Sequence, residues 1–187
     1  NHELRCNVLG HYNGAHGYDI AVGGIVGSIG AGTDSAFHLV NAMVGNVHGH
    51  YSGGIAGKCL AAAMTRSDTW VNCMRGNLTG FADTTNYCSG GIIGYFPATG
   101  VHVITKVANY MSGDILGAQS GGIIGQTTPA GAAAAVSVSN SIVAMNGTVT
   151  DTGVGQVGHP VALSISVNAD FGLVFTTNSY ASSDALT

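Results

Sequence analysis

The histidines are the residues of this chain with the clearest potential for metal chemistry, because imidazole nitrogens are common ligands of transition metals. His48 and His50 are two residues apart, a spacing that places both side chains on one face of a β-strand. His11 and His16 lie in the corresponding region of the preceding repeat, so neighbouring repeats could bring these imidazoles together. The alternative is that they are solvated or pack beside tyrosines. We favour this alternative and predict no metal site.

The acidic residues indicate no hydrolytic site. Acid–base catalysis on a parallel β-helix needs carboxylates clustered on one outer face. Here the only glutamate is Glu3, and the aspartates are scattered among expected turns without close pairs. No calcium-binding loop pattern occurs either. The sequence therefore predicts a protein that is not an enzyme and that needs no cofactor.

The cysteines and two glycosylation sequons favour an extracellular or cell-surface location. Cys73 and Cys88 flank an insertion at residues 82–87, and a disulfide between them would close it, although four cysteines allow other pairings. No C-x-x-C pair occurs, which argues against zinc ribbons and thioredoxin-type sites. Asn77 and Asn146 each begin an Asn-x-Thr acceptor sequence.

These residues sit in a repeated sequence. The motif Gly-Gly-Ile-x-Gly occurs at 23–27, 53–57, 90–94 and 121–125, and a degraded copy follows at 154–158. The motif glycines are Gly23, Gly24, Gly27, Gly53, Gly54, Gly57, Gly90, Gly91, Gly94, Gly121, Gly122 and Gly125. A period of this length is typical of repeat architectures, in which each unit buries its apolar face against its neighbours.

A second marker precedes each glycine motif. Four of the five methionines fall in one register of the repeat, namely Met43, Met74, Met111 and Met145. We expect Leu9 and Tyr180 to extend this row at its two ends. Further apolar rows follow four residues later and at the motif isoleucines, so three apolar positions per repeat predict three short strands per coil.

An asparagine row lies two residues before three of the methionines and on the same expected strand face. Its members are Asn41, Asn72 and Asn109. Inward amides in a stack of coils can hydrogen-bond from one coil to the next and satisfy their own polar groups. We favour this structural role over the alternative, a row of ligand-binding amides.

The predicted fold is therefore all-β, a parallel β-solenoid of about five to six coils with repeats of roughly 31 residues. Residues 1–160 form the repeats. Residues 161–187, which follow the pattern weakly, form atypical C-terminal strands that cap the stack or dock onto a neighbour.

The amino-acid composition limits the kinds of binding partner that we expect. Hydrophobic residues make up 45% of the chain and charged residues only 7%, against roughly 25% charged in ordinary soluble domains. No basic stripe is present, so nucleic acid is not an expected partner. No apolar run approaches the roughly 20 residues of a membrane-spanning helix, and no membrane insertion is expected. Expected outward positions such as Val40 and Tyr110 are apolar, which favours a homo-oligomer or homopolymer.

The repeat unit, Asn-x-Met-x-Gly followed by Gly-Gly-Ile-x-Gly, resembles the GLUG-type repeat. The resemblance covers roughly residues 7 to 180 and includes Asn178-Ser-Tyr180. This chain departs from the usual family core, Gly-Gly-Leu-Val-Gly after Asn-x-Tyr-x-x-Gly, in having Ile for Leu and Met for Tyr. The resemblance implies a β-solenoid segment of large, adhesin-like cell-surface proteins, without catalytic residues of its own.

Two functions remain open at this stage. The first is a structural one, in which coils stack from copy to copy into a fibre, a surface layer or a stalk. The alternative is an adhesin module that binds a carbohydrate or another cell-surface ligand. That module would use an aromatic and polar patch containing Tyr12, Tyr51, His48 and His50, or the insertion that carries Phe81 and Tyr87.

Overall fold

The computed structural model is all-β. It describes residues 4–9, 21–30, 39–59, 65–66, 69–80, 87–96, 101–127, 135–139, 142–151, 164–165, 174–175 and 180–181. Every regular element in these ranges is a β-strand, and none is a helix.

The strands are arranged in successive coils. Coil 1 contains β1 (Leu4–Arg5), β2 (Val8–Leu9), β3 (Ala21–Gly23) and β4 (Val26–Ile29). Coil 2 contains β5 (Leu39–Val44), β6 (Val47–Gly49), β7 (Tyr51–Gly53), β8 (Ala56–Cys59) and β9 (Thr65–Arg66). Coil 3 contains β10 (Trp70–Arg75), β11 (Leu78–Gly80), β12 (Cys88–Gly90), β13 (Ile93–Phe96) and β14 (Val101–Thr105). Coil 4 contains β15 (Val107–Ser112), β16 (Ile115–Gly117), β17 (Gln119–Gly121), β18 (Ile124–Thr127) and β19 (Ala135–Ser139). Coil 5 contains β20 (Ile142–Met145), β21 (Val149–Asp151), β22 (Ser164–Ile165) and β23 (Val174–Phe175), and β24 (Tyr180–Ala181) begins a sixth.

Strands of neighbouring coils pair in parallel and build five sheets. Sheet A has the order β1-β5-β10-β15-β20-β24, sheet B β2-β6-β11-β16-β21 and sheet C β17-β12-β7-β3. Sheet D has the order β22-β18-β13-β8-β4, and sheet E β23-β19-β14-β9. The predicted parallel β-solenoid is thereby confirmed.

The number of strands per coil was underestimated, because coils 2 to 4 each contain five strands rather than three. The apolar rows are buried as expected, except that Ile25 in coil 1 is 40% exposed. Met43, Met74, Met111 and Met145 are 2–4% exposed, while Ile55, Ile92 and Ile123 are fully buried. The isoleucines lie in the bends between sheets C and D and not within a strand. Each isoleucine is therefore flanked by two strands, where the prediction had counted one.

The ends of the methionine row were predicted wrongly. Leu4, not Leu9, pairs with Met43, while Leu9 pairs with His48 and is 68% exposed. Tyr180 pairs with Ile142, three residues before Met145. The reason at the first end is that Asn7 belongs to a turn: its Oδ1 accepts a hydrogen bond from the Asn46 backbone N–H at 2.8 Å.

The glycine motif forms a tight arch between sheets C and D. In coil 2, Gly53 ends β7, Gly54 and Ile55 form the bend, and Ala56 begins β8. A Cβ at Gly53 would lie 2.6 Å from the Ala56 carbonyl carbon and 2.9 Å from the Gly94 nitrogen. Both separations are well inside van der Waals contact, so this position requires glycine because backbones touch there.

The turn between sheets A and B requires glycine for a different reason. Gly45, Gly76 and Gly113 have φ angles of 146°, 145° and 147°, which side chains other than glycine rarely tolerate. These turns of coils 2 to 4 stack on one another: a Cβ at Gly76 would lie 2.6 Å from the Gly45 carbonyl carbon, and a Cβ at Gly113 would lie 2.6 Å from that of Gly76.

The predicted insertion is located where β11 joins β12. Seven residues separate these strands (81–87), whereas only His50 separates β6 from β7 and only Ala118 separates β16 from β17. The C-terminal strands β22, β23 and β24 continue sheets D, E and A in parallel. In the described part of the tail, the chain therefore extends the stack.

Candidate assembly surface

The asparagine row is a continuous hydrogen-bonded ladder in the core. Asn41, Asn72 and Asn109 are paired in register and are 0–4% exposed. Asn41 Nδ2 donates to Asn72 Oδ1 at 2.8 Å, and Asn72 Nδ2 donates to Asn109 Oδ1 at 2.8 Å. The ladder ends at Val143, which pairs with Asn109. The structural interpretation of this row is confirmed.

The ladder depends on the glycine motif. Asn41 Nδ2 also donates to the Gly54 carbonyl at 2.7 Å, and Asn109 Nδ2 donates to the Gly122 carbonyl at 2.8 Å. A Cβ at Gly91 would lie 2.6 Å from Asn109 Cγ. The second glycine of the motif thus leaves the space that the amide occupies, and two motifs separated in sequence form one structural unit.

A second ladder, which the sequence analysis missed, runs along the exposed turns between sheets A and B. Asn46 Oδ1 accepts from the Asn77 backbone N–H, Asn77 Oδ1 from that of Asp114, and Asp114 Oδ1 from that of Thr148, at 2.8–2.9 Å. These residues each follow a turn glycine, which was the available signal. Asn77, one of the two predicted glycosylation acceptors, therefore has a structural contact through its amide oxygen. Asn146, the other acceptor, is exposed.

The outer face of sheet A carries two apolar rows in register. One row is Val40, Val71, Ala108 and Ile142; the other is Ala42, Cys73, Tyr110 and Ala144. Val40, Tyr110 and Ile142 are 65%, 42% and 39% exposed. None of these eight positions has a charged side chain. We call this surface the sheet A face. It is a candidate interaction surface that extends over coils 2 to 5.

The predicted disulfide between Cys73 and Cys88 is not formed, and none of the four cysteines takes part in a disulfide. Cys73 is exposed on the sheet A face, whereas Cys88 is buried at the start of β12 in sheet C. The prediction was wrong because the two residues lie in different sheets of the coil, Cys73 in β10 of sheet A and Cys88 in β12 of sheet C.

The predicted histidine pair does not share a strand face. His48 is half-buried in β6, where it pairs with Thr79. β6 ends at Gly49, so alternation stops before His50, which is 1% exposed and lies 6.2 Å from the Tyr51 ring. In the described ranges, no three histidine, cysteine or acidic side chains are grouped to hold a metal ion. His11 and His16 lie outside the described residues.

His48 should give this protein a pH-dependent stability. Burial lowers the pKa of His48 below its ordinary value of 6.5, because the charged imidazolium is desolvated. The unfolded chain then binds a proton more readily than the folded one, so this contribution is present above pH 6.5 and is lost as pH falls through the lowered pKa. We expect His48→Gln to flatten the decline in urea midpoint below pH 6.5. An equal decline in His48→Gln and in the neighbouring control Thr79→Gln would contradict this.

The aromatic cluster at the mouth of the arch is a second candidate surface. The rings of Tyr51 and Tyr95 are stacked, with centroids 4.6 Å apart and planes inclined by 19°. Lys58 Nζ lies 5.5 Å from the Tyr51 centroid and 5.6 Å from that of Tyr95, within cation–π range. All three side chains are half-buried. Lys58 and Tyr95 each follow the last glycine of a motif, a register that the sequence analysis did not use.

Among the other residues of the predicted ligand patch, His50 lies next to this cluster, with its ring centroid 6.2 Å from that of Tyr51. Tyr87 packs over β11, because a Cβ at Gly80 would lie 2.5 Å from Tyr87 Cδ2. Tyr12 and Phe81 lie outside the described residues.

No helix in the described ranges is long and apolar enough to cross a bilayer.

No protein-family model matches this chain, and neither a curated protein nor a solved structure matches it. The sheet A face and the coil ends must therefore be interpreted from their own geometry.

Proposed function

We propose that this chain is a structural, extracellular module that assembles with copies of itself by continuing its sheets and by lateral contact. It performs no catalysis and requires no cofactor in this proposal. The observation that carries it is the sheet A face, whose two in-register rows are apolar over four coils. The third outward row of the same strands, Val44, Arg75 and Ser112, adds one charged side chain, Arg75. Large, mainly apolar surfaces on a soluble domain favour packing against a partner.

The ends of the stack support the same function. An open parallel sheet presents unpaired N–H and C=O groups at both edges, which makes it a template for another strand. Among the described strands, β1 and β24 are the outermost strands of sheet A, and each has two residues. Addition of a second copy would continue the sheets at about 4.8 Å per coil, so six coils span roughly 30 Å.

The area of the sheet A face indicates that lateral association depends on growth at the ends of the stack. Four strands of up to six residues cover about 400 Å² per partner, roughly half of what a standard stable interface buries. A single block should therefore pair weakly through this face. A filament presents the same face many times, so lateral pairing strengthens as the filament grows.

The resemblance to GLUG-type repeats agrees with this proposal. Such repeats belong to large cell-surface proteins, and their arrays are built for extension instead of catalysis. We therefore place the module outside the cell. The placement is based on the resemblance and on the two sequons at Asn77 and Asn146.

Charge introduced on the sheet A face should prevent lateral association. We expect Tyr110→Lys to shift wild-type bundles or sheets toward single filaments in negative-stain electron microscopy, because like charges then face each other across the contact. Ser28→Lys, which adds the same charge at an exposed position of sheet D, is the matched control. Bundles in both variants, or isolated particles of the wild type, would contradict the proposal.

The aromatic cluster favours the adhesin alternative. Tyrosine rings with a nearby lysine are suited to a sugar ring and its acidic substituents. Wild-type particles that stay isolated but bind a glycan array through Tyr51 would support a binding module in place of an assembling one. The structural proposal has precedence because the sheet A face covers four coils, whereas the cluster covers two.

A further inference from the structure

Cys88 and Gln126 make an unusual contact in the arch between sheets C and D. Cys88 Sγ lies 2.7 Å from Gln126 Oε1, and the side chains come from neighbouring coils, 38 residues apart in sequence. Cys88 is fully buried and Gln126 is 6% exposed. A thiol is a weak donor whose hydrogen bonds to oxygen are long. The observed separation is instead close to that of a sulfur and an oxygen bonded to the same carbonyl carbon.

We propose that Cys88 and Gln126 form an internal thioester. Cys88 Sγ attacks the Gln126 carboxamide carbon, and the Sγ–Cδ bond forms as the Cδ–Nε2 bond breaks. The amide nitrogen leaves as ammonia and takes the thiol proton, so the step needs no oxidant, reductant or metal. The product is an acyl group on sulfur that links coil 3 to coil 4.

The surroundings of the pair suit such a bond. Cys88 pairs in register with Tyr51, and Gln126 pairs in register with Tyr95. Each reacting residue therefore has one of the two stacked tyrosines beside it on the preceding coil. Together with the burial of both reacting side chains, this limits the access of water, which would hydrolyse the thioester. Gln119 Oε1 is the other amide oxygen near the thiol, at 3.9 Å. The shorter contact and deeper burial select Gln126 over Gln119.

A thioester would give the module a covalent mode of attachment. An amine or hydroxyl of a surface partner could attack the Gln126 carbonyl carbon, forming an amide or ester there and returning the Cys88 thiol. The Cys88–Gln126 pair is specific to these two coils, since the corresponding positions of coil 2 are Tyr51 and Lys58. This inference does not depend on self-assembly, and its test uses the dissociated chain.

The first measurement is the intact mass of the full wild-type chain, denatured in acid. The thioester predicts a mass lower by one ammonia than the sequence mass. Of the four cysteines, one would then resist alkylation. Methylamine should raise the mass by one methylamine, expose that thiol to iodoacetamide, and leave a methylamide on Gln126 in peptide maps. A wild-type mass equal to the sequence mass, with all cysteines alkylated before methylamine, would overturn the proposal.

Variants then test the assignment of the two residues. Cys88→Ala and Gln126→Ala should each abolish the loss of ammonia and the methylamine adduct. Gln119→Ala, which removes the more distant amide, and Cys59→Ala, which removes the other buried thiol, should both retain them. Loss of the signal in Gln119→Ala with retention in Gln126→Ala would overturn the assignment. Because the decisive mass is measured on the wild type, poor folding of a variant does not affect it.

Discussion

Alanine at Gly91 is expected to cost about 3 kcal/mol of folding free energy, a large fraction of the stability of an ordinary domain. A Cβ at this position would lie 2.6 Å from Asn109 Cγ and closer still to the Gly122 carbonyl oxygen. Neither neighbour can move easily. Asn109 is fixed by hydrogen bonds to Asn72 and Gly122, and the carbonyl belongs to the backbone of the next coil. The free-energy costs of overpacking and of broken hydrogen bonds therefore add in Gly91→Ala.

The measurement for Gly91→Ala is urea unfolding followed by the fluorescence of Trp70, the single tryptophan, which is 2% exposed. Gly30→Ala is the matched control, because nothing lies within 4 Å of a Cβ built there. We expect Gly30→Ala to unfold near the wild-type midpoint. Equal midpoints for the two variants would show that the second motif glycine is not needed for the amide ladder.

Valine at Asn72 is expected to destabilise the fold by about 2–4 kcal/mol. The substitution leaves a buried Asn41 N–H and the Asn109 Oδ1 without their partners, and each unsatisfied buried group costs roughly 1–3 kcal/mol. Valine itself is compatible with this row, since Val143 occupies it in coil 5. The predicted effect is therefore due mainly to lost hydrogen bonds and not to the shape of the side chain.

The comparison for Asn72→Val is Asn46→Ala in the exposed ladder. Removal of Asn46 Oδ1 leaves the Asn77 N–H to water, so the expected loss is below about 1 kcal/mol. The urea midpoints of the two variants compare the contribution to folding free energy of a buried and of an exposed asparagine hydrogen bond between coils. A loss in Asn46→Ala as large as that in Asn72→Val would reject the distinction between the inner and outer ladders.

Much of the fold could be predicted from the spacing of a few residue types. Side chains on a stacked coil meet their equivalents in the next coil, so each structural row becomes a periodic residue in the sequence. Met43, Met74 and Met111 predicted a core row in this way, and Asn41, Asn72 and Asn109 predicted the ladder. Both rows have the expected register in the structure.

Other features required the structure because they depend on how the coil bends. His48 and His50 have the spacing of one strand face, but a strand end lies between them. Cys73 and Cys88 flank an insertion, but the first is exposed on sheet A while the second is buried in the arch. Local spacing contains no information about where a strand stops or which way the chain turns next.

The sequence by itself determined the repeat, the parallel stacking and the identity of the buried rows, because periodicity is a local property that every coil copies. Only the tertiary structure decided which positions come together between sheets. The arch places Cys88 2.7 Å from Gln126 and stacks Tyr51 on Tyr95 across neighbouring coils. These contacts join residues at different positions of the repeat, and their distances depend on the bend of the backbone at glycines that have no Cβ to hold the sheets apart.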